Sequence, residues 1–385
     1  MGEPGVRTTG IQSAKRTSSR LERRTRLSLG RAERATSRLG EWPLAIGLGL
    51  TGAAALFVVS STMPKERTPR GDDLIYERIA SQPFGAHTFP FGYRFGLPAA
   101  VHALPLAHST GFLLLALVCA AGAASFAYLL MRALGARRQI AACLCLLLTI
   151  SPPFLVVVLR GGRNADIATV LVMMAATYFV VRRKYLALTA TLLLGVTVRE
   201  SALFIPPLAY ALWAKGPIDR SAACRVVATA TPAAAAYVAI RLGIRTLGEA
   251  QVPGYGGSLI GDRLTVMKLG LQNPGQQARR IFSVFGPLWG LVPLAMQDPI
   301  ARRGAVLLVL CIASMTFAVD WGRMALLAAP VVYPVAGRVL ERHSRLRAPV
   351  LIGFLVLTIG YAVYMADGGV RKGIIQSPAP SYPVQ

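Results

Sequence analysis

Residues 185–213, YLALTATLLLGVTVRESALFIPPLAYALW, decide how the rest of the chain is read. The stretch is apolar except chiefly for Arg199 and Glu200, which sit side by side in VRES. A bilayer core takes roughly 20 apolar residues per crossing helix, so this run is long for one untilted span and short for two. Two short helices meeting at VRES is the reading adopted. It sets the direction of every later segment, because one crossing more or fewer inverts everything downstream.

Composition supports a membrane reading. The chain has 385 residues, 54% of them hydrophobic and only 15% charged, where a soluble domain carries about a quarter charged residues. Apolar runs at 42–63, 109–134, 140–159, 167–181, 226–240, 281–295, 305–319, 324–339 and 350–365 complete the pattern. With the divided run they make about eleven spans of roughly membrane length. The expected fold class is an all-α, polytopic transmembrane helical bundle over 42–366. The runs are far longer than the strands of a membrane barrel.

Sidedness provides a check. With the Arg-rich N-terminal tail (1–41) in the cytoplasm, the inner loops are GARRQ, RRK, AKGPIDRSAACR, QDPIARRG and ERHSRLR, every one net basic. That is the positive-inside distribution. The net charge of +25 is therefore spread over membrane-flanking clusters, and nucleic acid is not an expected partner. The tail reads as a disordered segment drawn to anionic lipid headgroups, and residues 367–385 as a short extracytoplasmic tail. The location expected is the plasma (inner) membrane. Five cysteines lack metal-ligand spacing and read as packing residues.

The outer loops carry the chemistry. They include 65–98 (KERTPRGDDLIYERIASQPFGAHTFPFGYRFGLP), RGGRNAD, VRES, the section around EAQVPGYGGSLIGDR, and DWGR. Acids near membrane level collect there, each accompanied by Arg. Charge at membrane depth is costly unless it is paired or faces a wet cavity, so one polar chamber on one face is the expectation. Asp72 and Asp73 precede LIYERIA, whose spacing suits a short interfacial helix with Leu74, Ile75, Ile79 and Ala80 toward lipid or protein. Either aspartate can cap that helix, or one can serve as a general base toward an acceptor hydroxyl. Tyr93 and Arg94, Arg163 and Asp166, Arg199 and Glu200, and Asp320 and Arg323 complete the candidate set. Each pair also has a plain reading as a cap, a snorkelling Arg or a helix-break ion pair.

The order of these pieces (GDD, FGYRFGLPAA, GGRNADIATVLV, VTVRESALFIPP) resembles the GT-C superfamily of bacterial integral-membrane glycosyltransferases, over about residues 42–366. The resemblance implies a polyprenyl-phosphate-linked sugar donor and an aspartate of the first outer loop as base. Asp72 or Asp73 takes that role, Asp72 being the first choice. Arg94, Arg163 and Arg199 become candidate phosphate or chamber ligands, and Asp166, Glu200, Asp320 and Arg323 shape the sugar site, with Tyr93 beside Arg94. Without a large outer domain, the acceptor implied is a lipid, glycan or other small molecule. Mg²⁺ or Mn²⁺ at the paired aspartates would require further oxygen ligands. A transporter or flippase of a lipid-linked or anionic substrate, and a non-catalytic envelope-assembly protein, are the alternatives.

Overall fold

Helices occupy the apolar runs one by one. The computed structural model describes residues 40–63, 72–85, 87–88, 91–244, 246–247, 267–268, 270–316, 318 and 320–364. The N-terminal tail, EAQVPGYGGSLIGDR and residues 367–385 lie outside them. Contacts divide the chain into two units, Met1–Leu44 and Ala45–Gln385. Of the first, only Gly40 and the opening turn of helix α1 (Glu41–Ser61) are described.

Between α1 and the next long helix lie α2 (Asp72–Ser81), a 3₁₀ turn Phe91–Tyr93 and α3 (Gly96–His102). Then come α4 (His108–Ala133), α5 (Arg138–Thr149), α6 (Pro152–Leu159) and α7 (Asp166–Arg182). Next are α8 (Tyr185–Val198), α9 (Ile205–Trp213) and α10 (Arg220–Gly243). The rest comprises α11 (Pro274–Phe285), α12 (Leu291–Leu294), α13 (Pro299–Met315), α14 (Trp321–Leu326), α15 (Ala329–Arg342) and α16 (Ser344–Tyr364).

Among the described residues, five stretches are long and apolar enough to cross a membrane: α1, α4, α5 with α6, α10 and α16; α8 is apolar but shorter. The expected run 281–295 is broken into α11, a 3₁₀ turn Gly286–Gly290 and α12. Likewise 324–339 spreads over α14 and α15. The molecule is helical, with one addition to the all-α expectation. His87–Thr88 pairs in parallel with Thr246–Leu247, tying the segment between α2 and α3 to the segment after α10.

Local chemistry accounts for the divisions. Between α8 and α9, Arg199 is extended (φ −164°, ψ 139°), a 3₁₀ turn covers Glu200–Phe204, and Pro206 and Pro207 open α9. Proline in a first helical turn sacrifices no internal hydrogen bond, so the break is built into VRESALFIPP. Pro152 and Pro153 open α6 in the same way.

The core centres on α7, buried on nearly all sides and packed along α4. Ala116, Ala120, Ala123, Ala124 and Ala127 of α4 are buried, and Gly122 lies close against Leu171. Small residues let apolar helices approach closely when the surrounding solvent offers no hydrophobic driving force. Outward, Leu50, Leu194, Val227, Val309, Ile352, Val356 and Val363 are exposed, an apolar exterior suited to lipid. Among the cysteines, Cys145 and Cys311 are buried and Cys119 partly so, whereas Cys143 and Cys224 lie on exposed helix faces. The packing role therefore does not extend to those two.

Candidate functional site

Four separate segments of the candidate set meet in one charge network. The loop between α6 and α7 makes this geometry possible. Gly161 and Gly162 both adopt left-handed backbone (φ +74° and +73°), and a Cβ on Gly162 would lie 2.5 Å from the Phe112 carbonyl oxygen of α4. Only glycine accepts both conditions cheaply. The loop is thereby pressed onto α4, and Arg160, Arg163, Asn164 and Asp166 are held at the end of α7.

Asp166 is the centre. Its Oδ1 accepts from Arg199 Nη1 at 2.7 Å and its Oδ2 from Arg323 Nε at 2.8 Å. Arg323 extends the network: Nη1 donates to Asp72 Oδ2 at 2.6 Å and Nη2 to Asn164 Oδ1 at 3.2 Å. The same Asn164 oxygen accepts the Asp166 backbone N–H at 3.0 Å. One planar guanidinium thus joins the start of α2, the start of α7 and α14, the multidentate geometry arginine provides and lysine lacks. Arg199 also lies 4.0 Å from the Met324 sulfur.

Arg94 binds Glu200 through two bonds, Nε to Oε2 at 3.1 Å and Nη2 to Oε1 at 2.5 Å. Burial acts to raise the Glu200 carboxyl, but the Arg94 charge and hydrogen bonds prevail and hold it down to about 2. Its side chain nevertheless remains 38% exposed. Asp320 caps α14, accepting from Gly322 N at 3.0 Å and Arg323 N at 3.4 Å. Burial raises its carboxyl above the usual range.

The adjacent aspartates have different partners. Consecutive helix residues are about 100° apart, so Asp72 turns to Arg323 while Asp73 turns to Arg160. Asp73 is 1% exposed; the Asp72 side chain is 26% exposed and that of Arg323 22%. Among the described residues no three His, Cys, Asp or Glu side chains gather around a cation-sized position. The paired aspartates are spoken for by two arginines rather than turned to one point.

Tyr93 and Arg163, like the Arg94–Glu200 and Asp73–Arg160 pairs, make their bonds outside this network. The Tyr93 ring packs beneath the Arg241 guanidinium of α10 at 4.1 Å, and Arg241 Nε donates to Tyr237 Oη at 3.0 Å. Arg163 is 3.8 Å from Glu77 and donates to the Arg160 carbonyl at 3.3 Å. Arg94, Arg163 and Arg199, expected together around a phosphate, instead hold three different carboxylates, and the shared hub is Arg323. Tyr76 is not among the expected residues, and Arg160 and Asn164, which share the RGGRNAD loop with Arg163 and Asp166, carry no expected role in the site. Tyr76 carried a signal, standing four residues after Asp72 and so on its side of a helix.

No protein-family model matches the chain, and no curated protein matches it.

Proposed function

We propose that the chain is a GT-C-like membrane glycosyltransferase of about eleven spans, moving a sugar from a polyprenyl-phosphate donor to a lipid, glycan or small acceptor at the extracytoplasmic face. The observation that carries this is the Asp72–Arg323–Asp166–Arg199 network, assembled from four segments that the positive-inside pattern assigns to one side. Charges gathered from distant segments at membrane depth mark a site more strongly than a local ion pair does.

In this reading Asp72 is the base. It is the part-exposed carboxylate of the chain Asp72–Arg323–Asp166, whereas Asp73 is enclosed with Arg160. An anionic phosphate entering at Arg323 competes with Asp72 for the guanidinium, so donor binding and release of the carboxylate are one event. The freed carboxylate takes the acceptor O–H proton as that oxygen attacks the anomeric carbon. The bond from that carbon to the phosphate oxygen breaks, and the lipid phosphate leaves with the electron pair beside the arginines. Asp166 keeps Arg323 and Arg199 in place, and Asp73 holds α2 against the glycine loop.

The test is sugar transfer by the full chain in liposomes carrying a polyprenyl-phosphate sugar donor. Asp72→Asn is expected to lower transfer at least about 100-fold, the range of general-base catalysis, while the melting temperature changes little. Full transfer by Asp72→Asn removes the assignment. Passage of the lipid-linked sugar across the bilayer without bond formation would replace the enzyme by a translocator.

A further inference from the structure

Tyr76 is completely buried, and its hydroxyl has no hydrogen-bond partner among the described residues. The ring is well explained: it meets Phe91 edge-on at 5.8 Å and packs with Ile79, Leu97, Val101 and Phe112. The hydroxyl is not explained. Phenylalanine would bury the same ring without stranding a donor, and a stranded buried donor costs stability.

The electrostatic surroundings of that hydroxyl are specific. Arg94, Arg323, Asp72 and Arg199 all act on it. Burial raises the phenol and keeps it an O–H donor at neutral pH. The three arginines already supply donors to Glu200, Asp72 and Asp166, so the network is short of acceptors. Each guanidinium carries five N–H groups, more than Arg94 and Arg323 use in these bonds. A ligand that satisfies Tyr76 must therefore bring an acceptor, and the surrounding guanidinium groups select an anionic one.

We propose that Tyr76 is a substrate-contacting residue whose hydroxyl donates to a phosphate oxygen of the ligand bound at Arg323, Arg94 and Arg199. This rests on the polyprenyl-phosphate reading above and extends it by naming a donor outside the arginine set. The ligand reaches the hydroxyl by parting Asp72 from Arg323, the bond that joins the turn preceding Tyr76 to α14. The empty protein holds an unmatched donor, and the bound ligand matches it.

Two opposed effects follow for Tyr76→Phe in the full chain reconstituted in nanodiscs. Without ligand, its melting temperature should equal or exceed that of the wild type. Titration with undecaprenyl phosphate should show about tenfold weaker binding, the loss of a hydrogen bond to a charged group. Titration with undecaprenol should show no change. Equal phosphate affinity in the two proteins, or an equal loss for phosphate and alcohol, overturns the proposal. Earlier melting or failure to fold shows that the hydroxyl supports the empty protein, and also overturns it. If the wild type binds phosphate and alcohol alike, the phosphate-donor reading itself falls and takes Tyr76 with it. If the wild type discriminates and Tyr76→Phe discriminates equally, only the Tyr76 assignment falls.

Discussion

Two buried aspartates in this protein each hold two arginines, yet their settings differ. Asp298 accepts from Arg338 Nε at 2.8 Å and Arg342 Nη2 at 2.7 Å, and caps α13 through Ile300 N at 2.9 Å. Its arginines stand four apart on one helix, with side chains 27% and 51% exposed, and Arg338 also reaches the Leu134 carbonyl at 2.6 Å. This is a staple: a cap and two neighbouring side chains of α15 join α13 to its surroundings. Asp166 draws its arginines from two distant segments, and one of them reaches on to a part-exposed second aspartate. A buried Asp with two Arg is therefore no site by itself. The Asp166 cluster differs by its second, reachable carboxylate and by the unmatched hydroxyl of Tyr76, four residues after Asp72 on the same helix.

Substitutions should separate the two. Asp166→Asn leaves Arg199 and Arg323 facing a weakened partner, and should destabilise the protein by about 3 kcal/mol, as for a broken buried pair, and abolish transfer. A smaller stability loss with full transfer would reduce the Asp166 cluster to a second staple. Asp298→Asn should cost about 1–2 kcal/mol, discounted because its arginines are well solvated. Transfer per folded molecule should be unchanged; loss of transfer at intact stability would erase the distinction. Arg323→Lys keeps the charge but loses the three-way fork, so transfer should fall about tenfold, whereas Arg338→Lys should leave it alone.

The smallest effect concerns acid. Glu200 titrates at about 2 rather than the ordinary 4.5. A lowered carboxyl stabilises the folded state above the ordinary value and loses that contribution as pH falls through the lowered one. Since over a third of its side chain is open, screening keeps the contribution below about 1 kcal/mol. The melting-temperature gap between wild type and Glu200→Gln should narrow as pH drops from about 4.5 toward about 2. A gap independent of pH would mean that Arg94 and Glu200 act through packing alone.

Much of this was legible in the chain. Apolar runs located α1, α4 and α7 to within about two residues and α10 and α16 to within about six, because a helix that faces lipid or an apolar core must be apolar over its length. The division at VRES was legible because two charges in an apolar run, followed by two prolines, cannot continue one helix cheaply. The candidate residues were found by the same cost: charge at membrane depth must be paired. The partners themselves were not legible. Arg323 and Asp72 are 251 residues apart, and no local rule connects them.

By itself, then, the sequence determined where helices form, where they break and which charges need company, all local consequences of burial and backbone geometry. Only the tertiary structure decided that Asp72 turns to Arg323 while Asp73 turns to Arg160. It alone decided that Arg323 is the hub, and that the Tyr76 hydroxyl is stranded among the described residues. Those outcomes depend on the rotation of α2 about its axis and on how closely two glycines let the α6–α7 loop press onto α4. Both are set by packing between segments far apart in the chain.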